Sequence, residues 1–163
     1  MSVAIIMGSI SDKPRLQGAV EVLEKLGIEF EMRALSAHRT PDKCVEYVRD
    51  AEQRGIKVFI TAAGLAAHLP GVVAAHTRRP VIGLPIAAGP LNGQDALLSI
   101  VQMPPGIPVA TVGIDNSRNA AILAAEIIAV SDSKVDEKLV GLRRAQTEKV
   151  IKTDAELQKE LQG

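Results

Sequence analysis

The chain has 163 residues and a formal net charge of zero, from 19 basic and 19 acidic side chains. Hydrophobic residues make up 47% and aromatic residues only 2%, so one domain can bury a core of Ala, Val, Ile and Leu. Zero net charge and few aromatics argue against nucleic-acid binding, which uses a basic face or stacked rings. The single Cys44 excludes an internal disulfide framework and a multi-cysteine zinc site, and is interpreted as a small core residue.

The start of the chain predicts neither a signal peptide nor a membrane anchor. Met1 leads directly into a strand-like segment, and no apolar stretch is long enough to cross a bilayer. We therefore expect a cytoplasmic protein without a membrane partner.

Short apolar runs alternate with amphipathic segments along the chain. The run Val3–Met7 is fully apolar, which is typical of a strand buried on both faces. A helix is predicted from about residue 12 to residue 26, ended by Gly27 as a C′ glycine. Residues 30–35 predict a second strand, and their lower hydrophobicity places that strand nearer an edge of the sheet.

A sharp turn at residues 36–41 follows the second strand. Thr40 has the character of a helix N-cap and Pro41 that of a first helical residue, so a helix begins directly behind His38 and Arg39. The later predicted elements are helices at 41–53, 94–102 and 117–129, a short helix after residue 68, and strands at 58–62, 81–84 and 109–112.

Five strands alternating with helices predict an α/β fold, a three-layer, doubly wound, five-stranded parallel sheet with helices on both faces. Ligands of such sheets bind outside the carboxyl ends of the strands. The polar and glycine-containing segments that follow strands therefore share one rim, and they are residues 8–12, 36–39, 64–68 and 89–93.

The end of the chain predicts an extra C-terminal helix, added to an α/β core of residues 1–130 in a single domain. The helix covers about residues 131–152, and residues 153–163 are expected to be frayed or loosely helical. The sheet already has its covering helices, so we expect this helix to pack on a neighbouring subunit, or alternatively on its own. Its thin apolar stripe is Leu139, Leu142, Ala145 and Val150.

Two adjacent residues in the turn suit catalysis. Arg39 offers a forked cation for a phosphate or carboxylate, and His38 can give and take a proton near neutral pH. A surface arginine and a lone histidine are also common without a function, so the pair alone leaves both interpretations open.

A second rim segment carries candidate binding residues. Ser9, Ser11 and Asp12 lie where the first strand meets the first helix, where hydroxyls suit a phosphate and a carboxylate suits ribose hydroxyls. The alternative is that Ser11 or Asp12 only caps the helix.

The third rim segment is a loop of small residues that contains a second histidine. Gly64, Ala66 and Ala67 let a ligand approach the backbone closely, and they lead to His68 and Leu69. A second histidine at the rim favours a function there, although two histidines without a third ligand make a poor metal site.

Four motifs occur in order over about the first four fifths of the chain. They are GSxSD at residues 8–12, SAHRTP at 36–41, AAHLPG at 66–71 and LNGxDxLLSIVQMPxGIPVATV at 91–112. Together they resemble the N5-carboxyaminoimidazole ribonucleotide mutases of purine biosynthesis. The resemblance implies a flavodoxin-like sheet, a homo-octamer in which C-terminal helices embrace neighbours, and a reaction on a ribonucleotide without cofactor or metal.

The resemblance also implies roles for the binding residues. The substrate phosphate would meet Ser11, Ser36 and Arg39, with Ser9 nearby. The ribose would be held by Asp12.

The carboxylate of the substrate would move from the exocyclic nitrogen to ring carbon C4. By the same resemblance His38 is the acid/base catalyst, and the loop 64–68 with Leu69 encloses the imidazole and the released CO2, with His68 as a second catalytic candidate. One histidine can protonate the carbamate nitrogen and later remove the proton from C4, provided that CO2 stays in a closed apolar pocket.

Two segments depart from the family pattern. Leu65 stands where the family usually has Gly, and residues 86–90 replace a more polar stretch. A relative that carboxylates aminoimidazole ribonucleotide directly with CO2 shares the fold, but the intact SAHRTP and AAHLPG motifs favour the mutase. A flavodoxin-like nucleotide-binding module is the alternative of another class. It usually needs aromatic residues beside a flavin, whereas Tyr47 lies in mid-helix and Trp is absent.

Overall fold

Five strands form one sheet in the structure, a computed structural model that describes residues 2–162. The strands are β1 Val3–Met7, β2 Phe30–Ala34, β3 Val58–Gly64, β4 Val81–Ile86 and β5 Ala110–Thr111. All pairs are parallel, and the order across the sheet is β2-β1-β3-β4-β5. The predicted parallel sheet and the edge position of the second strand are therefore confirmed.

Helices cover both faces of the sheet and complete the predicted three layers. They are α1 Gln17–Leu26, α2 Pro41–Gln53, α3 Leu69–Ala74, α4 Gln94–Val101, α5 Ser117–Ala129 and α6 Ser133–Gln162. Alternate residues of β1 enter two separate cores: Ile5 packs with α1, α5 and the start of α6, whereas Ile6 packs with α2, α3 and α4. A fully apolar strand is thus buried on both faces.

The strand register places the carboxyl ends of the central strands at one level. Met7 pairs with Ala34 on one side and with Ala62 on the other, so the chain leaves β1 and β2 side by side. Strands β3 and β4 stay paired as far as Gly64 and Ile86, two residues beyond their predicted ends, because each supplies the other's hydrogen bonds. The rim predicted for the ligand is therefore formed by successive loops.

Two predicted elements differ in extent. Instead of one helix from residue 12, a 3₁₀ helix at Ile10–Leu16 precedes α1, and it contains Pro14, which has no N–H to donate. Strand β5 has two residues rather than four, because only Ala110 and Thr111 pair with β4 at this edge of the sheet. Gly27, with φ of 66°, ends α1 as predicted.

The C-terminal helix begins on its own subunit. Val135 and Leu139 are 8% and 5% exposed and join the core on the α1 and α5 face, and Lys138 Nζ donates to Leu26 O at 2.7 Å. Beyond this segment the helix leaves the core, and Val150 is 69% exposed. The start of α6 thus packs on its own subunit, which was the alternative to packing on a neighbour. Of the predicted apolar stripe, only the first part is buried.

Of the two states expected for residues 153–163, frayed or loosely helical, the structure shows a helix as far as it describes them. The helix continues to Gln162, and Gly163 lies outside the described residues. Among the helices of residues 2–162, none is both long enough and apolar enough to span a bilayer.

Candidate active site

A cleft of about 510 Å³ opens at the carboxyl ends of β1, β2 and β3. Its walls come from the loops after β1, β2, β3 and β4, as expected for the rim of a parallel sheet. The lining residues are Gly8, Ser9, Ser11, Asp12, Ser36, Ala37, His38, Arg39, Ala63, Gly64, Leu65, Ala67, Leu69 and Ala88. Predicted binding residues from three separate loops thus face one space.

The first wall is the cluster of hydroxyl groups at the start of the 3₁₀ helix. Ser9 is the N-cap, and its Oγ accepts hydrogen bonds from the Ser11 amide at 3.3 Å and from Ser11 Oγ at 2.8 Å. The capping role therefore belongs to Ser9 and not to Ser11 or Asp12. Burial raises the pKa of Asp12, and hydrogen bonds with Ser9 and Ser11 and the nearby Arg15 charge offset only part of that effect.

The turn after β2 is braced by its own hydroxyl groups. Thr40 occupies the N-cap position of α2 as predicted, but its side chain makes no capping bond. Instead Thr40 Oγ1 accepts from the Ser36 amide at 3.0 Å and donates to Ser36 O at 3.1 Å. The turn that carries His38 and Arg39 is therefore closed by contacts within its own short stretch of sequence.

Arg39 joins this turn to the loop after β1. Its Nη2 donates to Gly8 O at 3.1 Å, and its Nε lies 3.5 Å from Ser36 Oγ, which also accepts from the Arg39 amide at 3.1 Å. Among the ion pairs of residues 2–162, none involves Arg39. A positioned guanidinium without a carboxylate partner is suited to an anionic ligand.

His38 lines the cleft beside Arg39, and it is exposed to solvent. Within the described part of the chain, no hydrogen bond to its imidazole is found. The ring is therefore available to a ligand that enters the cleft, and an imidazole can donate or accept a proton there.

His68 and Ala66 are the two predicted site residues that do not line the cleft. The His68 ring packs over Gly71, where a side chain would overlap Nε2, and its Nδ1 is buried without a partner in the described structure. Ala66 O accepts a hydrogen bond from Ser99 Oγ at 3.3 Å. The histidine predicted as a second catalyst lies against the first turn of α3, because His68 is itself the N-cap residue of that helix.

The apolar wall includes residues that sequence reasoning did not select. Ala37, Ala63 and Ala88 carry no chemical group, and only their position beside the named loops could have indicated them. The loop that contains Ala88 is also fixed by an ion pair that the sequence did not indicate. Asp115 pairs with Arg15, and Asp115 Oδ1 accepts a hydrogen bond from the Ala87 amide at 3.1 Å. Arg15 and Asp115 are far apart in sequence, so no local pattern could have revealed their contact.

A larger cleft of about 700 Å³ lies at the opposite end of the strands, between the end of α2 and the segment before β4. It is lined by Arg49, Glu52, His76 and Arg78, among others, and Glu52 already accepts from Thr77 at 2.8 Å. The smaller cleft is the stronger candidate because it holds the predicted acid/base and anion-binding groups. In residues 2–162, no group of three His, Cys, Asp or Glu side chains is arranged to hold a metal ion.

Comparison with known proteins gives one consistent family. The profile of the AIR carboxylase family matches residues 2–149. An N5-carboxyaminoimidazole ribonucleotide mutase of Pyrococcus abyssi is 59% identical over 141 residues, which cover 86% of this chain and 81% of the relative. The protein of the same name from Methanocaldococcus jannaschii is 54% identical over 152 residues, covering 93% and 94%.

Solved structures agree with the sequence comparison. The crystal structure of Treponema denticola PurE superposes with a TM-score of 0.88 and 31% identity, covering 95% of this chain and 97% of that one. A serine-to-aspartate variant of PurE2 from the same organism has a TM-score of 0.89 and 31% identity, covering 96% and 99%.

Proposed function

The chain belongs to the AIR carboxylase family, and from that premise we infer that it converts N5-carboxyaminoimidazole ribonucleotide to 4-carboxy-5-aminoimidazole ribonucleotide. The reaction is an isomerisation in purine biosynthesis, in which a carboxylate moves from the exocyclic nitrogen to ring carbon C4. We assign the reaction to the cleft at the rim of the sheet because of one observation. Arg39 and His38 line the same cleft as Ser9 and Ser11.

The anionic end of the substrate has a matching set of donors. The substrate phosphate binds Arg39 and the hydroxyls of Ser11, Ser36 and Ser9 in this proposed function. This is supported by the bonds from Arg39 to Gly8 O and toward Ser36 Oγ, which hold the cation in place before substrate arrives. A preorganised cation loses less conformational entropy on binding than a mobile one.

The ribose of the substrate is assigned to Asp12. An ionised carboxylate accepts hydrogen bonds from two adjacent hydroxyls, and Asp12 lines the cleft beside Ser11. Burial raises the pKa of Asp12. As the pH falls, this carboxylate is therefore protonated, and its hydrogen bonds to the ribose are lost, at a higher pH than for an ordinary aspartate.

Proton transfer is assigned to His38 alone. As an acid it protonates the carbamate nitrogen, the N–C bond breaks with its electron pair on nitrogen, and CO2 is released. Carbon C4 then attacks CO2, and the same imidazole, now a base, removes the proton from C4. The residue ends in its starting protonation state, so one histidine suffices for the cycle. Its exposed ring, without an internal hydrogen bond in the described structure, supports this role.

The released CO2 needs an apolar compartment. We place it against the small and aliphatic side chains that line the cleft. These side chains are Ala37, Ala63, Leu65, Ala67, Leu69 and Ala88. Exclusion of water there keeps CO2 from hydration before C4 attacks.

The test compares two substrates in one spectroscopic assay of the 4-carboxy product. The purified chain is given either N5-carboxyaminoimidazole ribonucleotide or aminoimidazole ribonucleotide with bicarbonate. We expect faster product formation from the first substrate. Faster formation from the second would instead assign a direct carboxylase, and no product from either would overturn the proposed function.

We also propose that the chain associates into a homo-octamer, as the family resemblance implies. It is supported by aliphatic side chains of α6 that are largely exposed in the single chain. They are Val140, Val150, Ile151, Leu157 and Leu161. We also assign the reaction to the cytoplasm, because a phosphorylated ribonucleotide does not cross a bilayer unaided.

A further inference from the structure

Leu65 has an unusual backbone conformation at the edge of the cleft. Its φ is +58°, in the left-handed region that leucine rarely adopts because Cβ approaches the following carbonyl oxygen. The residue directly follows β3, and it lines the cleft. A strained residue that stays in place beside a functional cleft suggests a role for its side chain.

The Leu65 side chain reaches from the loop after β3 to the loop after β4. A methyl group built on Gly89 would lie only 2.6 Å from Leu65 Cδ2, so the side chain packs directly on the Gly89 backbone. Gly89 itself has φ of +67°. One residue earlier, a methyl group on Gly64 would lie 2.9 Å from Ala88 Cβ. The two loops therefore touch at two successive points, both of which require glycine.

These contacts form an apolar bridge across one side of the cleft. Leu65 is 53% exposed, so it is placed at the mouth rather than in the core. Behind the bridge, Ala87 is held by Asp115, which also pairs with Arg15. The loop after β4 is thus held in place by Asp115, while the exposed part of the Leu65 side chain faces solvent.

We propose that Leu65 is the gate that retains CO2 between the two halves of the reaction. The inference rests on the proposed function and adds a specificity role for a residue that takes no part in proton transfer. CO2 is apolar, and it escapes through the solvent-facing side of its compartment unless an apolar group closes that side. The Leu65 side chain lines the cleft and bridges the loops after β3 and β4, so it closes that side.

The experiment measures how much of the original carboxylate reaches the product. Substrate carrying ¹³C in its carboxylate is converted in buffer with unlabelled bicarbonate, and the label in the product and the free aminoimidazole ribonucleotide are both quantified. An enzyme-free sample gives the background loss. Leu65→Ala and Leu65→Gly are compared with the unmodified chain, and Leu91→Ala is the matched control. Leu91 is similarly exposed, at 55%, but does not line the cleft.

We expect the unmodified chain and Leu91→Ala to retain the label alike. Both Leu65 variants should lose label and release aminoimidazole ribonucleotide at a rate about 10-fold higher, because the apolar closure is gone. Label retention in Leu65→Gly together with loss in Leu65→Ala would show that backbone strain is the cause, and would overturn the gate. Retention in both variants would overturn it as well.

The outcome for the unmodified chain separates this inference from the proposed function. If that chain forms no product from the labelled substrate, the proposed function fails and the gate fails with it. If it forms product and the variants retain label as it does, only the gate is wrong. Thermal melting of each variant confirms that a change in retention does not come from unfolding.

Discussion

At the scale of single residues, the adjacent side chains of His38 and Arg39 differ in how they are held by hydrogen bonds. Arg39 is tied to Gly8 O and lies close to Ser36 Oγ, whereas no hydrogen bond to the His38 ring is found in residues 2–162. A fixed cation positions an anion, and an unconstrained imidazole can approach first one atom and then another. The two substitutions below should therefore affect different kinetic constants.

Replacing His38 by asparagine should abolish proton transfer and preserve the shape of the turn. We expect kcat to fall by about 100-fold or more, with little change in KM or in the melting temperature, because no hydrogen bond to the ring is found within the described residues. Steady-state kinetics and thermal melting measure these quantities. Near-normal turnover would remove His38 from the catalytic role.

Replacing Arg39 by alanine should mainly weaken substrate binding. Loss of a charge-assisted contact to phosphate should raise KM by roughly 10-fold or more, with a smaller change in kcat. Arg39→Lys is the matched variant, because it keeps the charge but not the forked donors that meet Gly8 O and Ser36 Oγ. An unchanged KM in Arg39→Ala would contradict the anion site.

At the scale of elements, the edge strand β2 is fastened to the helix that follows it. Glu31 on β2 accepts hydrogen bonds from Tyr47 OH at 2.6 Å and from Arg54 at 2.6 and 3.0 Å, and Arg54 also donates to Asp50 at 2.6 Å. The guanidinium of Arg54, followed by the Tyr47 hydroxyl, lowers the pKa of Glu31 despite the opposing effect of burial. These contacts brace β2 and α2, the two elements joined by the turn that carries His38 and Arg39.

Replacing Glu31 by glutamine should destabilise the chain at neutral pH and not in acid. Because the pKa of Glu31 is lowered on folding, its contribution is complete above the unfolded-state pKa of about 4.3 and is lost as the pH falls through the lower folded value. We expect the melting temperature to drop by roughly 2–4 °C at pH 7. That difference should shrink as the pH approaches 4 and below.

The control for Glu31 is Glu46→Gln. The Lys43 and Glu46 side chains are 72% and 69% exposed and form an ion pair at 2.8 Å, so its loss should have little effect. A melting difference for Glu31→Gln that stays constant over the whole pH range would contradict the electrostatic explanation.

At the scale of the whole molecule, α6 has two different parts. Its start is packed on α1 and α5, but its second half carries aliphatic side chains in solvent. Val150, Leu157 and Leu161 follow one another at spacings that place them on one face of the helix. A neutral chain with such a stripe is suited to association with copies of itself.

If the chain forms the homo-octamer proposed above, light scattering should give a mass near eight times 17.3 kDa. Leu157→Asp combined with Val150→Asp should lower that mass, since two charges would be buried in the contact. Lys152→Asp, on an exposed position of the same helix turn, is the control and should leave the mass unchanged. A monomer at micromolar concentration would contradict the proposed assembly.

The amino-acid sequence by itself determined the parallel sheet, its edge strand and the loops that form the rim. These depend on local patterns: apolar runs such as Val3–Met7 predict buried strands, and Thr40 followed by Pro41 marks the start of α2. The reaction was predicted from the resemblance of the four motifs to a known family, because the spacing of apolar residues predicts only the fold.

Only the tertiary structure decided which residues face the cleft. His68 and Ala66 belong to a rim loop, yet the turn into α3 directs them elsewhere, while Ala88 enters the wall through a loop held by Asp115 and Arg15. Likewise, the side chain of Leu65, whose φ is positive, packs on Gly89, a residue of another loop. Such outcomes depend on register and on contacts between segments distant in sequence, which no local pattern encodes.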